Sequence, residues 1–318
     1  MSSAQLYSQL PYTLTQTGLP SLGLRRQGKV RDTYREGNRL VLVATDRLSA
    51  FDKVLTTIPF KGQILTQLAQ FWFQKTSHLA PNHLLDVPDP NVMVAHACEP
   101  FPVEFVVRGY LTGSLWRDVQ KQAPLPYGLD VDPSMQKHQV FPTPLLTPST
   151  KAEDGAHDEP ISAAEILARG LMSPRDFARA SELAFALFAE GQAWARSRGL
   201  LLVDTKYEFG KRKGEVVLID EIHTPDSSRY WLADSYPERF ARGEEPQMLD
   251  KENIRQWLIQ ERGFMGDGPL PDIPDDVRVQ LAQKYVSAYE RITGQPLSLQ
   301  VGPVGPRIAE NLSRKGLL

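Results

Sequence analysis

One hairpin in the second half of the chain constrains the fold most, because its strands are strongly apolar and yet carry a regular row of charges. An apolar run at residues 200–203 follows Gly199, and a short bounded run of this kind predicts a buried strand. The charged side chains that follow come at every second position, which places them on one face of the strand: Asp204, Lys206 and Glu208. The sequence therefore predicts a buried strand with a charged face.

A second apolar strand, residues 215–219, returns after the turn signal at residues 210–214. With the turn centred on Arg212, Asp204 lies opposite Asp220 and on its face. Buried carboxylates repel one another unless a cation lies between them, and hard oxygen ligands suit Mg²⁺. The alternative is a solvated hairpin with alternating charges. The metal interpretation is favoured because each aspartate ends an apolar strand, where its charge is partly desolvated.

The loop after this hairpin is rich in groups that bind anions. Residues 224–229 contain hydroxyl, carboxylate and guanidinium side chains, among them Asp226, Ser227 and Arg229. A guanidinium beside hydroxyls is typical of a site for a phosphate or a carboxylate. The loop therefore predicts an anionic substrate next to the hairpin.

Composition excludes several classes of protein. A formal charge of −2 and the lack of a long basic run argue against a nucleic-acid surface. No apolar stretch approaches the ~20 residues of a membrane span, and the first residues lack the pattern of a signal peptide. The single cysteine, Cys98, excludes an intrachain disulfide and is consistent with a reducing compartment. We therefore expect a cytoplasmic protein that binds neither nucleic acid nor membrane.

The N-terminal part predicts antiparallel strands over residues 21–58, with a turn at residues 36–38. Gly28 at a strand start lets the backbone approach a phosphate, with Lys29 or Arg31 supplying positive charge. A plain hairpin explains the same residues.

A polar segment at residues 46–52 interrupts these strands and predicts a loop that includes Ser49 and Asp52. A helix is predicted next, over residues 64–75, with its aromatic side chains in the core rather than against a cofactor.

A second candidate anion site follows the strand predicted at residues 103–107. Arg108 leaves this strand beside two glycines that let the backbone approach a ligand, and Ser114 opens a helix. A structural ion pair of Arg108 explains the sequence equally well.

Residues 121–158 are punctuated by prolines and predict a long stretch with little regular structure. A loop of this length in a compact domain is usually functional or disordered. Its end carries groups that suit anions and amines: Lys151, His157 and Asp158.

The remaining segments predict helices of structural character. Ser162 begins a capping box, and Ser173 followed by proline begins a helix that runs to Gly199. Further helices are predicted over residues 251–261, 277–292 and 307–315, and none of them carries a catalytic constellation.

The segments described above resemble, in the same order, those of the SAICAR synthetase (phosphoribosylaminoimidazole-succinocarboxamide synthase) family. The matching segments are residues 28–32, 49–52, 108–114, 147–162, 204–210 and 220–229. Each is weak alone, but the ordered set is specific. The length resembles the longer, yeast-like form of the family.

The resemblance implies an α+β fold with a kinase-like, two-lobed architecture. It assigns residues 1–105 to an N-terminal antiparallel-sheet lobe that covers the nucleotide. Residues 106–248 become a larger α+β lobe with the substrate and metal site, and residues 249–318 become a C-terminal helical segment packed on the core. A monomer is expected for the longer form, with a dimer left open.

The resemblance also implies the reaction. ATP, carboxyaminoimidazole ribotide (CAIR) and L-aspartate give ADP, phosphate and the succinocarboxamide, with Mg²⁺ as the cofactor. A carboxylate is a poor acyl donor because oxide is a poor leaving group. Its phosphorylation gives an acyl phosphate that the aspartate amine can attack, and catalysis of phosphoryl transfer is mostly positioning and charge neutralisation.

Site residues follow from the same resemblance. It implies that the nucleotide phosphates contact Gly28, Lys29 and Arg31, and that Mg²⁺ is held by Glu208 and Asp220. It places the ribotide phosphate on Arg108, Ser114 and Arg229, and the imidazole carboxylate on Asp204 and Lys206. The implied catalytic residues are Lys206, Asp204 and Asp220. The other implied substrate contacts are Ser49, Asp52, Lys151, His157, Asp158, Asp226 and Ser227, with residues 49–52 and 151–158 in loops that close over the substrates.

The predicted register is difficult to reconcile with Glu208 and Asp220 as ligands of one metal ion. Glu208 lies ~13 Å along the ladder from Asp220 in that register. Asp204 is therefore kept as a third candidate metal ligand.

Two other functions share parts of this pattern. A small-molecule kinase has the lobes and the metal carboxylates but needs no site for an amine, whereas residues 151–158 indicate a third substrate. A catalytically silent nucleotide-binding module is disfavoured because the candidate charged positions are all occupied. ADP release with CAIR, measured with and without aspartate, separates the three.

Overall fold

The structure is a computed structural model that describes residues 2–51, 53–121, 123–151, 158–249, 252–266 and 268–318. Two antiparallel sheets and a two-stranded ribbon form its framework, and helices pack against the sheets. The α+β class predicted from the sequence is confirmed. Among the helices of the described ranges, none is long and apolar enough to span a membrane.

The strands within those ranges are β1 (Arg25–Gln27), β2 (Arg31–Glu36), β3 (Arg39–Ala44), β4 (Arg47–Ala50), β5 (Lys53–Thr57), β6 (Leu84–Asp89), β7 (Val92–His96), β8 (Glu99–Tyr110), β9 (Val140–Leu146), β10 (Ser149–Thr150), β11 (Leu200–Arg212), β12 (Glu215–Ile219) and β13 (Ser228–Leu232).

The α-helices are α1 (Ser3–Gln9), α2 (Lys61–Lys75), α3 (Gly113–Gln120), α4 (Ala163–Ala168), α5 (Pro174–Ser197), α6 (Tyr236–Ala241), α7 (Glu252–Arg262), α8 (Asp275–Thr293) and α9 (Val304–Arg314). The starts predicted from Ser162 and Ser173 are confirmed, because each side chain accepts a backbone N–H of the first turn.

The N-terminal sheet has the strand order β1-β2-β3-β7-β6 and buries both of its faces. Alternation along β3 sends Val41 and Val43 to one face, where they pack against Ile308 of α9. Leu42 faces the other way and joins the main core with Leu68 of α2. The C-terminal helix α9 therefore covers the outer face of the N-terminal sheet.

The second sheet has the order β10-β8-β11-β12, with β13 also paired to β11 and β9 paired to β8. Its buried face carries Phe105, Tyr207 and Phe209, which belong to the same core cluster as Phe188 of α5. Because side chains alternate along a strand, the residues between these aromatics lie on the opposite, charged face.

Both β12 and β13 pair with the same edge of β11. β13 pairs with β11 as far as Thr205, and β12 pairs with it from Glu208 onward. The chain between them, residues 220–227, therefore emerges beside the middle of β11. The loop predicted to bind anions lies next to the charged face for this reason.

The register predicted for the β11–β12 hairpin is wrong. Glu208 lies opposite Ile219, and Arg212 lies opposite Glu215, so the turn consists of Lys213 and Gly214 alone. Both turn residues have positive φ, 51° and 84°, as a two-residue hairpin turn of this twist requires. Asp204 is consequently not opposite Asp220.

The long stretch at residues 121–158 is more regular than predicted. β9 and β10 lie within it and pair with β8. Pro142 and Pro144 occur inside β9, which the described part of the chain pairs on one side only. An edge strand tolerates proline because every second N–H faces away from the sheet.

The polar segment at residues 46–52 does not form the loop predicted for it. Residues 47–50 are β4, which pairs with β5. Asp46 is 1% exposed and Arg47 is 3% exposed, so the first half of the segment is fixed inside the N-terminal lobe. Side-chain bonds to the backbone compensate for the burial of these charges.

Asp46 gives a testable pH dependence. Its carboxylate accepts the N–H groups of Leu14 (2.7 Å) and Gly62 (2.9 Å), and burial raises the pKa of Asp46 from 3.8 to about 6. A raised pKa in the folded state means that the contribution of Asp46 to stability is present below about pH 4 and lost as the pH rises through about 6. We expect the unfolding free energy of the wild type, relative to Asp46→Asn, to fall by about 3 kcal/mol between about pH 4 and pH 7. Chemical denaturation across this range measures it, and a difference that is constant or rises with pH contradicts the assignment.

The lobe boundary predicted at residue 105 lies inside β8. All of β8, from Glu99 to Tyr110, belongs to the second sheet, and β7 ends the first sheet at His96. The change from one sheet to the other therefore occurs between His96 and Glu99.

Candidate active site

The charged face of the second sheet is built by cross-strand pairs between β11 and its neighbours. The pairs with β8 are Asp204–Arg108, Lys206–Val106 and Glu208–Glu104. Across the other edge, Arg229 of β13 also lies opposite Asp204. The face therefore has two arginines at one end and carboxylates around a lysine at the other.

The arginine end joins Arg108 to hydroxyls and to a carboxylate. Arg108 donates from Nε to Oγ1 of Thr147 (2.7 Å) and from Nη2 to Oγ of Ser114 (3.1 Å). Its Nη1 lies 3.5 Å from Asp204, and Nε of Arg229 lies 3.5 Å from the other oxygen of the same carboxylate. Two guanidiniums share one carboxylate, so the cluster keeps a positive charge that suits a phosphate.

Gly113 lets the Arg229 guanidinium lie against the start of α3. Its φ is +61°, and a Cβ placed there would be 2.1 Å from Nη1 of Arg229. A larger residue at position 113 therefore displaces the arginine. The predicted residues Arg108, Ser114 and Arg229 are brought together at this helix start.

The other end of the face is organised around Lys206. Its Nζ donates to Oε1 of Glu104 (2.5 Å) and to Oε1 of Glu208 (3.0 Å), and Lys151 pairs with the second oxygen of Glu208. Burial alone lowers the pKa of Lys206, but the charges of Glu208 and Glu104 outweigh it and raise the pKa above its ordinary value. The carboxylates therefore favour the protonated form of Lys206.

Asp220 follows β12 directly and is held by Arg31 from the N-terminal sheet. Arg31 donates to both carboxylate oxygens of Asp220, at 2.5 and 3.0 Å, and its Nη2 lies 3.2 Å from Glu221. Burial raises the pKa of both acids, but Arg31 and then Lys206 hold the pKa of Asp220 below its ordinary value. Arg31 therefore favours the ionised form of Asp220, and the two lobes meet at its carboxylate.

The turn that precedes Arg31 carries the other two candidate phosphate ligands. Gly28 and Lys29 are exposed, and the N–H of Gly28 donates to the carbonyl of Arg31 at 2.8 Å. The turn and Asp220 are thus linked through Arg31.

The two predicted ligands of residues 220–227 have different surroundings. Asp226 accepts Nζ of Lys61 (2.8 Å) and the hydroxyl of Tyr285 (2.6 Å), and its side chain is only 5% exposed. Ser227 uses its carbonyl to accept the N–H of Lys206 at 3.0 Å. Asp226 therefore anchors the loop to α2 and α8, and Ser227 fixes the loop to β11.

Five predicted contacts lie in the segments expected to close over the substrates, and Lys151 is one of them, paired with Glu208 as described above. Asp52 and His157 lie outside the described residues. Ser49 is buried in β4. Asp158 is exposed, and its charge adds to the factors that raise the pKa of Glu104, of which burial is the largest.

The residues present fit a magnesium ion that arrives with nucleotide phosphates. In the described parts of the chain, no three His, Cys, Asp or Glu side chains are arranged to hold a metal by themselves. Mg²⁺ is usually bound by one or two carboxylates together with substrate phosphates. Glu208 and Asp220 supply hard oxygens beside each other in the observed register, whereas Asp204 lies four positions away between two arginines.

Sequence reasoning missed two acids of this site, Glu104 and Glu221. Glu104 lies two and four positions before Val106 and Arg108, so the period of two along β8 is the signal that could have found it. Glu221 has no such signal, because only the fold places it on Arg31.

The chain is similar to known proteins of one family. A family model described as SAICAR synthetase matches residues 24–267. The phosphoribosylaminoimidazole-succinocarboxamide synthase of Legionella pneumophila (strain Paris) is 46% identical over 312 residues, which are 96% of this chain and 99% of that protein. The Arabidopsis thaliana protein of that name, described as chloroplastic, is 47% identical over 93% of this chain and 73% of its own length.

Solved structures of the same name share the architecture. SAICAR synthase from Saccharomyces cerevisiae, complexed with SAICAR, has a TM-score of 0.79 and 34% identity over 90% of this chain and all of that chain. A SAICAR synthetase in complex with ADP has a TM-score of 0.66 and 25% identity over 87% of this chain and all of that chain.

Proposed function

Because this chain belongs to the SAICAR synthetase family, we propose that the charged face of β11 divides the substrates of the family's reaction between its two ends. The chain catalyses the ATP-dependent joining of CAIR to L-aspartate, which gives ADP, phosphate and the succinocarboxamide in purine biosynthesis. One observation supports this division. Arginines of β8 and β13 lie beside Asp204 of β11, whereas Lys206, further along the same strand, contacts two glutamates.

The ribotide phosphate binds at the arginine end. Arg108 and Arg229 supply the charge, and Ser114 supplies a hydroxyl at the start of α3, whose N–H groups also favour an anion. The imidazole carboxylate then lies further along β11, toward Lys206. A protonated Lys206 neutralises this carboxylate while a phosphoryl group is transferred to it.

The nucleotide phosphates bind at the other end, between the turn at Gly28 and the carboxylates of Glu208 and Asp220. These two acids would hold Mg²⁺, which supplies charge neutralisation for the phosphoryl group when bound. Lys29 and Arg31 lie on the turn and add positive charge. The ADP complex of a related synthetase supports a nucleotide in this fold.

The chemistry requires two bond exchanges at one carboxylate. The γ-phosphoryl group passes from ATP to a carboxylate oxygen of CAIR, which releases ADP and gives an acyl phosphate. The amine of aspartate then attacks the acyl carbon, phosphate leaves, and the nitrogen loses a proton. Water must be kept out during the first step, because it would hydrolyse the activated carboxylate.

The cysteine content bears on the compartment of the enzyme. The one cysteine excludes an intrachain disulfide, so we expect a reducing compartment such as the cytosol. The resemblance to the longer form of the family leads us to expect a monomer. No nucleic acid or membrane is expected as a partner.

ADP release tests the function directly. With ATP and CAIR present, we expect rapid ADP release only when L-aspartate is added, together with formation of a product that contains both carbon skeletons. Equal ADP release without aspartate would indicate a kinase of the ribotide instead. No ADP release with all three substrates would contradict the proposed function.

A further inference from the structure

The turn at residues 28–31 is held from the inside of the lobe through all of its carbonyl groups. The carbonyl of Val30 accepts the N–H of Thr45 (3.0 Å) and its hydroxyl (2.7 Å). The carbonyl of Arg31 accepts the N–H of Gly28. Further contacts of these carbonyls come from the side chain of Arg47.

Arg47 places its guanidinium directly behind this turn. It donates to the carbonyls of Lys29 (3.1 Å), Gly28 (2.9 Å) and Arg31 (3.1 Å). It also pairs with Asp32 at 2.9 Å, and the Arg47 side chain is only 4% exposed. A further N–H donates to the carbonyl of Thr15 at 2.5 Å.

The inward carbonyls determine where the amides of the turn point. In a trans peptide the C=O of one residue and the N–H of the next point in opposite directions. The described part of the chain contains no cis peptide bond. Because the carbonyls of Gly28, Lys29 and Val30 point toward Arg47 and Thr45, the N–H groups of Lys29, Val30 and Arg31 point away from them.

We propose that Arg47 is a positioning residue for nucleotide phosphates, which it favours by turning three consecutive N–H groups of the 28–31 turn outward. Successive outward amides form an anion-binding concavity. Arg47 itself touches no substrate, because its side chain is buried behind the turn. This role rests on the proposed function, which places the nucleotide phosphates at the turn.

Only arginine satisfies this arrangement. Its planar group offers five N–H donors in a fixed fork, whereas lysine offers three donors from one point. A lysine at position 47 keeps the charge beside Asp32 but cannot reach carbonyls on both sides of the turn. Arg47→Lys therefore changes the shape of the turn more than its electrostatics.

Arg307 provides a matched control. It pairs with Asp89 at 3.0 and 3.2 Å and donates to the carbonyl of Gln300, so it also joins a buried carboxylate to backbone in the N-terminal lobe. It lies on α9, against the strands rather than behind the turn. Arg307→Lys therefore shows how far ligand binding changes when a buried arginine elsewhere in the lobe is weakened.

The experiment compares ligand binding by calorimetry in the wild type, Arg47→Lys and Arg307→Lys, with Mg²⁺ present. We expect Arg47→Lys to weaken ADP binding tenfold or more, while binding of adenosine and of the ribotide changes less than twofold. Arg307→Lys should leave all three affinities within twofold. A loss of affinity for ADP alone is not expected if Arg47 only stabilises the fold, because destabilisation of the lobe would weaken the other ligands as well.

Thr45→Val provides a second test that is milder for the fold. It removes the hydroxyl bond to Val30 and keeps the shape of the side chain, so we expect ADP binding to weaken about threefold with ribotide binding unchanged. If Arg47→Lys does not fold, this variant decides the question.

Several outcomes would overturn the role of Arg47. ADP affinity that is the same in the wild type and in the folded variants contradicts it, and so does equal weakening of ADP, adenosine and ribotide. Failure of the wild type to release ADP from the three substrates contradicts the proposed function instead, since the binding comparison does not require turnover. A wild type that binds no ADP contradicts both.

Discussion

Replacing Asp220 by asparagine should lower ATP turnover about 10³-fold, which corresponds to roughly 4 kcal/mol of transition-state stabilisation. The carboxylate lies where Arg31 from one lobe meets the charged face of the other, and Arg31 holds the pKa of Asp220 below its ordinary value. Its φ of +70° belongs to the left-handed region, which asparagine also adopts readily. The variant should therefore fold normally and lose only the charge.

Glu221→Gln is the matched control for Asp220→Asn. Glu221 also contacts Arg31, but through one nitrogen at 3.2 Å, whereas Asp220 accepts two donors of the same guanidinium. We expect this variant to lose less than tenfold in turnover. Titration of activity with Mg²⁺ for both variants completes the test, and an Asp220→Asn enzyme with normal activity and unchanged Mg²⁺ dependence would remove Asp220 from the site.

Loss of either arginine at the other end of the face should weaken binding of the ribotide by tenfold to a hundredfold. A charge-assisted contact to a phosphate contributes ~1.5–3 kcal/mol. We expect Arg108→Gln and Arg229→Gln to raise the KM for CAIR accordingly and to leave the KM for ATP nearly unchanged. Steady-state kinetics with each substrate varied in turn measure this.

Arg117 serves as the control, because it is an exposed arginine on the same helix as Ser114. Arg117→Gln removes the same charge and should change neither KM by more than twofold. If Arg108→Gln and Arg229→Gln weaken binding of ATP and of the ribotide equally, these arginines bind the nucleotide instead.

Local signals in the sequence predicted much of the fold. The capping box at Ser162, the helix start at Ser173 and the period of two after residue 203 each reflect bonds within a few residues. Such bonds form wherever the local sequence allows them. Short-range patterns therefore predicted several of the helices and strands and the charged face of β11, but not α1, α6, β9 or β10.

The hairpin register could not be obtained in the same way. Two glycines at positions 210 and 214 suggested a broad turn, but Gly210 lies inside β11, where a Cβ would be 2.9 Å from the carbonyl oxygen of Glu99. The turn residue is Lys213, which adopts a positive φ, and a lysine in the sequence does not indicate such a conformation. The error displaced Asp220 from Glu208 and produced the strain in the predicted metal site.

Buried charges explain why the loop predicted at residues 46–52 is not present in the described part of that segment. Charged residues at positions 46 and 47 predicted a solvated loop, since ionised groups are seldom buried. Their partners are backbone groups of Leu14, Gly62 and the 28–31 turn, which are distant in sequence. No pattern of residue types records such bonds.

The central position of β11 sets a fixed length for whatever binds across it. Neighbouring strands hold it along both edges, so the separation of Asp204 and Lys206 follows from the rise of a strand, about 7 Å over two residues. A sheet cannot stretch or shorten to suit a ligand. In the proposed arrangement, a molecule whose phosphate binds at the arginines reaches Lys206 only if its own span matches this distance. We therefore expect analogues of a different length to bind weakly.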